Sequence, residues 1–111
     1  MSTHTGNGWT VLDTACYADK PGVHDIGARL GVMTNTMLLV ILRAAERWVP
    51  HKVLTEDTAI IRRRGRILVE FADGSTRLHD DDAQLLPSAR PPAAVVNIGT
   101  DVAELLVITA V

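Results

Sequence analysis

The stretch IGARLGVMTNTMLLVI, residues 26–41, decides the expected fold because it carries the clearest local signals in the chain. Asp25 stands immediately before it and is a good N-cap, since its side-chain oxygen can accept from a backbone N–H of the first turn. Gly31 follows Leu30 and can adopt the left-handed conformation that ends many helices. These signals predict a short helix from Asp25 to about Leu30.

A second, longer helix is expected after this turn. Thr34 or Asn35 can cap its start, and Pro50 would stop it because proline cannot continue a helix. Apolar residues recur at helical spacing between these limits, while Arg43 and other charged residues fall on the opposite side. We therefore predict a helix over residues 34–48.

The segments on either side have weaker patterns. Residues 9–18 favour a short helix, although their threonine and valine also allow a strand. After Pro50 the apolar residues alternate with polar ones, which is the period of a strand. We expect a turn at Asp73-Gly74 and strands at residues 58–62, 67–71 and 75–79, followed by a last hairpin from residues 93–98 and 102–111.

Length and composition favour one domain of α+β class. The chain has 111 residues, of which 47% are hydrophobic, enough for a single modest core. We divide residues 1–111 into a helical part (9–50), a β meander or wing (51–86) and a C-terminal hairpin (93–111) that could serve oligomerisation.

Cysteine content and hydropathy set the expected compartment. Cys16 is the only cysteine, so an internal disulfide is impossible, and a buried thiol is the expected state. The longest purely apolar run, residues 37–42, is far shorter than the roughly 20 residues that a membrane-spanning helix needs. The first residues, MSTHTGNGW, lack the basic and apolar regions of a signal peptide. We expect a cytoplasmic protein without a membrane partner.

Basic charge is concentrated in the middle of the chain. The formal net charge of −2 argues against a general nucleic-acid binder. Residues 43–66, however, carry seven basic and three acidic side chains, whereas residues 67–111 carry two and seven. The run RRRGR, residues 62–66, offers one basic face to a partner, or equally a solvated turn.

The order helix, helix, turn, helix and β-hairpin resembles a winged helix-turn-helix domain. The resemblance covers residues 9–79 and is carried by ADKPGVHDIGARLGVMTNTMLLVILRAAERW, residues 18–48, with the RRRGR hairpin as the wing. In that family the third helix enters the major groove and the wing contacts the flanking DNA. The resemblance implies that these residues bind DNA: Thr34, Asn35, Arg43, Arg47, Arg62, Arg63, Arg64 and Arg66.

The would-be reading face departs from that family. Besides Met33, it would present Leu38, Leu39 and Leu42, which can touch thymine methyl groups but cannot donate or accept the hydrogen bonds that discriminate bases. An exposed stripe of leucines is typical of a protein interface.

Two functions from different classes therefore stay open. The first is a small sequence-specific regulator that binds double-stranded DNA and self-associates through the C-terminal hairpin. Arginine outnumbers lysine nine to two, which is typical of GC-rich genomes and would fit a phage-encoded protein. The second is a non-enzymatic interaction or assembly protein, a phage structural or host-modulating protein found in the virion or the cell, which would use the leucine stripe and the C-terminal strand. An SH3-like barrel over residues 52–87 is a further structural alternative.

Catalysis and metal binding have no support in the sequence. The histidines at positions 4, 24, 51 and 79 lack the spacing of metal ligands, and Asp80-Asp81-Asp82 lacks the glycine and terminal glutamate of a calcium loop. A glycine-rich phosphate loop and a nucleophile elbow are also missing. We expect a protein that is not an enzyme and needs no metal or cofactor.

Overall fold

The structure, a computed structural model, describes residues 3–6, 9–12, 14–17, 20–31, 35–51, 58–79, 85–87 and 92–110. Strands dominate these ranges. They are β1 (Thr3–Gly6), β2 (Trp9–Leu12), β3 (Gly22–Asp25), β4 (Asn35–Leu42), β5 (Arg47–Trp48), β6 (Ala59–Arg64), β7 (Ile67–Phe71), β8 (Thr76–His79), β9 (Leu85–Pro87), β10 (Pro92–Asn97) and β11 (Ala103–Ala110). The helical segments in the same ranges are a 3-10 turn (Thr14–Tyr17) and α1 (Ile26–Leu30), and neither is long and apolar enough to cross a membrane.

Two antiparallel sheets form the body of the protein. One has the order β3-β4-β11-β6-β9 and the other the order β5-β10-β7-β8, while β1 and β2 pair with each other. Aliphatic side chains from both sheets meet in one buried cluster. Val40, Leu105 and Ile60 come from the five-stranded sheet, and Val69 and Val95 from the four-stranded sheet. The protein is therefore a two-layer sandwich in which alternate residues of each strand point inward.

The outer face of the five-stranded sheet is also buried in part. Leu39 and Ile41 point away from the sandwich interior and pack with Tyr17 and Ile26, which belong to the 3-10 turn and to α1. Both faces of β4 are therefore covered, one by the opposite sheet and the other by the N-terminal segments.

The first helix is confirmed with its caps. The Ala28 backbone N–H donates to Asp25 Oδ1 at 3.0 Å, which satisfies a donor that the first helical turn leaves free. Gly31 adopts φ 73° and ends the helix in the left-handed conformation. Local capping chemistry was sufficient to place this element.

The prediction of a second helix over residues 34–48 is wrong. Its residues form β4, a turn and β5, and Thr34 lies outside the described residues. The apolar run at residues 37–42 has no polar face because both sides of β4 are buried, and periodicity alone cannot distinguish such a strand from a buried helix. The helix expected within residues 9–18 is likewise replaced by β2 and the 3-10 turn. The predicted winged helix-turn-helix fold of α+β class is thus wrong.

The strands expected after Pro50 are present as β6, β7 and β8, with small shifts at their ends. The Asp73-Gly74 turn joins β7 to β8, and the Ser75 backbone N–H donates to Asp73 Oδ1 at 2.9 Å. The predicted wing does not form, because β6 and β7 belong to different sheets and the RRRGR run crosses between them. An independent SH3-like barrel is excluded for the same reason, since these strands pair with β10 and β11.

The last two strands occur near the predicted positions but do not pair with each other. β10 lies between β5 and β7, whereas β11 lies between β4 and β6 at the centre of the other sheet. Both edges of β11 are therefore occupied within the chain.

Candidate functional site

Polar side chains on the inner faces of the sandwich are the candidate functional groups, because nearly all of their neighbours are aliphatic. Among the described side chains, the buried polar ones are Thr58, Arg62, His79 and Asn97. Burying a polar group costs free energy unless it is hydrogen-bonded. The hydrogen bonds of each group therefore separate structural residues from candidate ligand-binding residues.

Asn97 has a structural role at the end of β10. Its Nδ2 donates to the Leu42 carbonyl oxygen at 3.0 Å and to the Asp101 carbonyl oxygen at 2.7 Å. Its Oδ1 accepts from the Gly99 backbone N–H at 2.9 Å. The side chain thus ties the β10–β11 connection to the end of β4, and its polar atoms are satisfied.

Thr58 is also satisfied. It directly precedes β6, at the opposite end of this strand from the RRRGR run, and its Oγ1 forms a 3.0 Å hydrogen bond with Thr109 Oγ1. Thr109 is paired in turn with Thr36 of β4, so three threonines line adjacent strands at this end.

Arg62 differs from Asn97 and Thr58 because it is buried while one of its polar atoms is not hydrogen-bonded within the described residues. It is opposite Leu105 in the β6–β11 ladder and therefore faces the interior, where it is only 9% exposed. Its Nη1 donates to the Gly65 carbonyl oxygen at 2.8 Å, but its buried Nε has no hydrogen-bond partner within the described ranges. Among the described residues, no carboxylate forms an ion pair with Arg62.

Gly65 fixes the carbonyl that holds Arg62. Its φ of +87° lies in the left-handed region, and a Cβ at this position would approach Ala103 Cα to 2.7 Å. The turn thus packs against β11 without room for a side chain. This close approach sets the direction of the Gly65 carbonyl and hence of the guanidinium.

Two further cationic or titratable side chains occupy the inner face of β8. Arg77 is opposite Val69, and His79 is opposite Ile67. Directly opposed residues share a face of the sheet, and both partners on β7 are buried in the core. His79 is 5% exposed, whereas Arg77 is exposed at the edge of the four-stranded sheet. We call Arg62, Arg77 and His79 the inner basic residues.

Two of the inner basic residues, Arg62 and Arg77, carry the chemistry of an anion site. Guanidinium groups present planar forks of N–H donors that match carboxylate and phosphate oxygens. A group of three or more histidine, cysteine, aspartate and glutamate side chains able to hold a metal ion does not occur within the described ranges. Arg62 and Arg77 are therefore candidate groups for binding an anion.

The arginines predicted to bind DNA do not share one surface. Arg62 points into the sandwich, and the Arg63 guanidinium lies 3.2 Å from the Glu104 carboxylate. Arg64 and Arg66 are exposed around the turn at Gly65.

The residues of the predicted recognition helix are similarly dispersed. Arg43 lies in the turn after β4, where its backbone N–H donates to Glu46 Oε1 at 3.0 Å. Arg47 on β5 pairs with Glu70 at 2.7 Å. Asn35 is exposed at the start of β4, and Thr34 is among the positions that are not described.

The predicted leucine interface belongs to the core of the chain. Leu38 and Leu42 point into the sandwich, and Leu39 is buried beneath the N-terminal segments. The exposed leucine face expected of a helix does not form.

The sequence pattern did not mark Arg77 or His79 as inward-facing and placed Arg62 on a wing. A signal for Arg62 was present, because it is two residues after Ile60 in a predicted strand and therefore shares the face of that apolar residue. No comparable signal marked Arg77, since its strand is short and mostly polar.

The sequence matches no protein-family model and no curated protein. The backbone is nevertheless similar to that of a cupin protein from Bacteroides fragilis, with a TM-score of 0.62 and 13% identity over 82% of this chain and 77% of that chain. The chain has a cupin fold.

Two other solved structures support this cupin fold. A protein assigned as ethanolamine utilization protein Q from Salmonella typhimurium LT2 has a TM-score of 0.63 and 16% identity, covering 98% of this chain and 92% of its own. A cupin-superfamily sugar phosphate isomerase from Silicibacter pomeroyi DSS-3 has a TM-score of 0.62 and 17% identity over 80% of this chain. The present chain spans 58% of the length of that isomerase. At these identities the similarity establishes the fold alone.

The cupin fold overturns the predicted function. The neighbours are strand-built cupins, so the predicted winged-helix DNA-binding regulator is wrong. The alternative of an assembly protein also loses its basis, since the helix face that it required is absent from the described part of the chain. One of these neighbours is an enzyme, so the fold is compatible with catalysis.

Proposed function

We propose that this chain binds a small anionic metabolite inside the cupin sandwich, with Arg62 as the anchoring residue. The observation that carries this proposal is a buried guanidinium that has one backbone acceptor and no carboxylate partner among the described residues. Such a charge is costly to bury unless it is paired. A bound carboxylate or phosphate would supply the missing partner.

The geometry around Arg62 favours a fixed anion site. The hydrogen bond from Nη1 to the Gly65 carbonyl oxygen restrains the guanidinium plane, so that little side-chain freedom remains to be lost on binding. One fold neighbour is assigned as a sugar phosphate isomerase. This likeness supports a phosphorylated or carboxylated sugar as the first ligand class to test.

The test compares Arg62→Met with Arg64→Met. Arg64 is a matched control, because it lies on the same strand but is exposed and paired in the ladder with Glu104, on the outer face. Glucose 6-phosphate and gluconate are the probes, and the measurements are calorimetric titration and thermal unfolding. We expect a ligand to raise the Tm of the wild type and of Arg64→Met, since ligand binding to the native state alone stabilises it.

Arg62→Met should remain folded and bind neither probe. Arg62→Met removes a buried charge that is unpaired among the described residues and keeps the length of the side chain, and the thermal unfolding measurement reports directly whether the variant is folded. The proposal fails if the wild type binds neither probe, or if Arg62→Met binds as tightly as the wild type.

A second candidate function is isomerisation of the bound sugar phosphate, favoured by the burial of His79 on the inner face of β8. Imidazole is the side chain best suited to accept and return a proton near neutral pH. His79 would take the proton from C2 of an aldose phosphate and return it to C1, while the hydroxyl proton moves from O2 to O1. Proton NMR of a hexose phosphate in D2O would show deuterium entering the sugar with the wild type but not with His79→Gln. The absence of exchange with the wild type would exclude this candidate and leave ligand binding intact.

A further inference from the structure

We infer that the bound anion is a phosphate monoester held between Arg62 on one sheet and Arg77 on the other. This inference rests on the proposed function and names its ligand class. It follows from the position of Arg77, which is an exposed arginine at an inward-facing position of an edge strand.

The ladder registers place the two arginines at a similar depth in the sandwich. Arg62 lies three residues before Gly65 on β6, and Val69, the partner of Arg77, lies four residues after it on β7. Because the chain passes from one sheet to the other at Gly65, these positions are at comparable distances from the same end. Arg77 therefore lies on the sheet opposite Arg62, and its exposure places it where the site meets solvent.

The three described glutamates pair with other arginines. Glu104 pairs with Arg63, Glu70 with Arg47 and Glu46 with Arg43. Glu104 is next in sequence to the inward Leu105, and Glu70 to the inward Val69. Because successive residues of a strand point to opposite faces, both glutamates lie on outer faces of the sheets. The positive charge of Arg62 and Arg77 is thus not offset by any described ion pair.

Two arginines suit a phosphate monoester better than a carboxylate. A phosphate monoester carries a charge of about −1.5 to −2 at neutral pH and three strong acceptor oxygens. A carboxylate has one charge and two oxygens, which the fork of Arg62 can already satisfy. A contact from Arg77 should therefore add more to the affinity for a phosphate than for a carboxylate.

The experiment measures the affinity of glucose 6-phosphate and of gluconate for the wild type, Arg77→Gln and the control Arg64→Gln. We expect Arg77→Gln to weaken glucose 6-phosphate binding by about tenfold, the effect of losing one charge-assisted hydrogen bond. The affinity for gluconate should change by less than about threefold, and Arg64→Gln should behave as the wild type. Because Arg77 is exposed, the Tm of the free protein should not change.

Each other outcome contradicts a specific statement. Equal losses for both ligands would overturn the phosphate assignment, because Arg77 would then act only through general charge attraction. An unchanged affinity for glucose 6-phosphate would remove Arg77 from the site. If the wild type bound gluconate through Arg62 but not glucose 6-phosphate, this inference would fail while the proposed anion site remained. Binding of neither ligand would defeat both.

Discussion

Gly65 and Gly74 have the same positive φ but different surroundings, which separates backbone strain from steric conflict. Both have φ of +87°. A Cβ on Gly74 would meet nothing within 4 Å, whereas one on Gly65 would approach Ala103 Cα to 2.7 Å. Because the obstacle is backbone of the central strand, it cannot rotate away.

We therefore expect Gly74→Ala to lower the free energy of unfolding by about 1 kcal/mol, the cost of a left-handed alanine. Gly65→Ala should cost about 2 kcal/mol more, because it adds an overpacked contact. Urea unfolding of both variants measures the difference. Equal losses would show that the turn at Gly65 can move away from β11, and would weaken the case that its carbonyl position is fixed.

Arg62 and Asn97 are both buried but differ in their hydrogen bonds. Asn97 is completely buried, yet its amide is saturated by backbone groups, so its place is explained by the fold. Arg62 is nearly as buried, but its Nε has no partner. Burial alone would rank the two residues together, whereas their hydrogen bonds identify only Arg62 as a group with capacity for a ligand.

At the scale of elements, β4 is the decisive strand because it is buried on both faces. Leu39 packs under the N-terminal segments, and Leu42 packs between the sheets. Leu39→Ala and Leu42→Ala should each lower the free energy of unfolding by about 2–5 kcal/mol, as is usual for a buried leucine. Leu78→Ala is the control, since Leu78 is 46% exposed, and should cost less than about 1 kcal/mol.

Chemical denaturation of these three variants distinguishes β4 from the helix that the sequence suggested. An amphipathic helix with an exposed leucine stripe would lose little stability from Leu39→Ala. A small effect at Leu39 alone would therefore contradict the covered outer face.

Local signals predicted α1, β7 and the Asp73-Gly74 turn, but not β4. In the first group the determinants are adjacent in sequence, as in the Asp25 cap or the alternation of β7. For β4 the determinants are the opposite sheet and the N-terminal cover, which are distant in sequence. Its uninterrupted apolar run, residues 37–42, fits a buried helix as well as a buried strand, so tertiary packing decided its conformation.

The candidate site could not be predicted from the sequence for the same reason. The arginine run looked like one charged turn, although residues of a strand alternate between faces and Arg62 and Arg64 end on opposite faces across a β-bulge. The β6–β11 register places Arg62 opposite Leu105 and therefore on the inner face. The proposed joint site of Arg62 and Arg77 depends on the packing of two sheets, which no local pattern contains.

At the scale of the whole molecule, the sheet order makes β11 the most protected strand. It is hydrogen-bonded to β4 on one side and to β6 on the other, and its inward residues Ala103, Leu105 and Val107 are fully buried. In contrast, β8 and β3 are edge strands with one unpaired side. Local opening is easiest where few buried contacts must break.

Amide hydrogen exchange should follow this order. We expect the amides of β11 to exchange only through global unfolding, and those of β8 and β3 to exchange at least about tenfold faster through local opening. Hydrogen–deuterium exchange followed by NMR resolves the strands individually. Exchange in β11 as fast as in β8 would contradict its central position, because a strand paired on both sides cannot open without breaking the β4 and β6 ladders together.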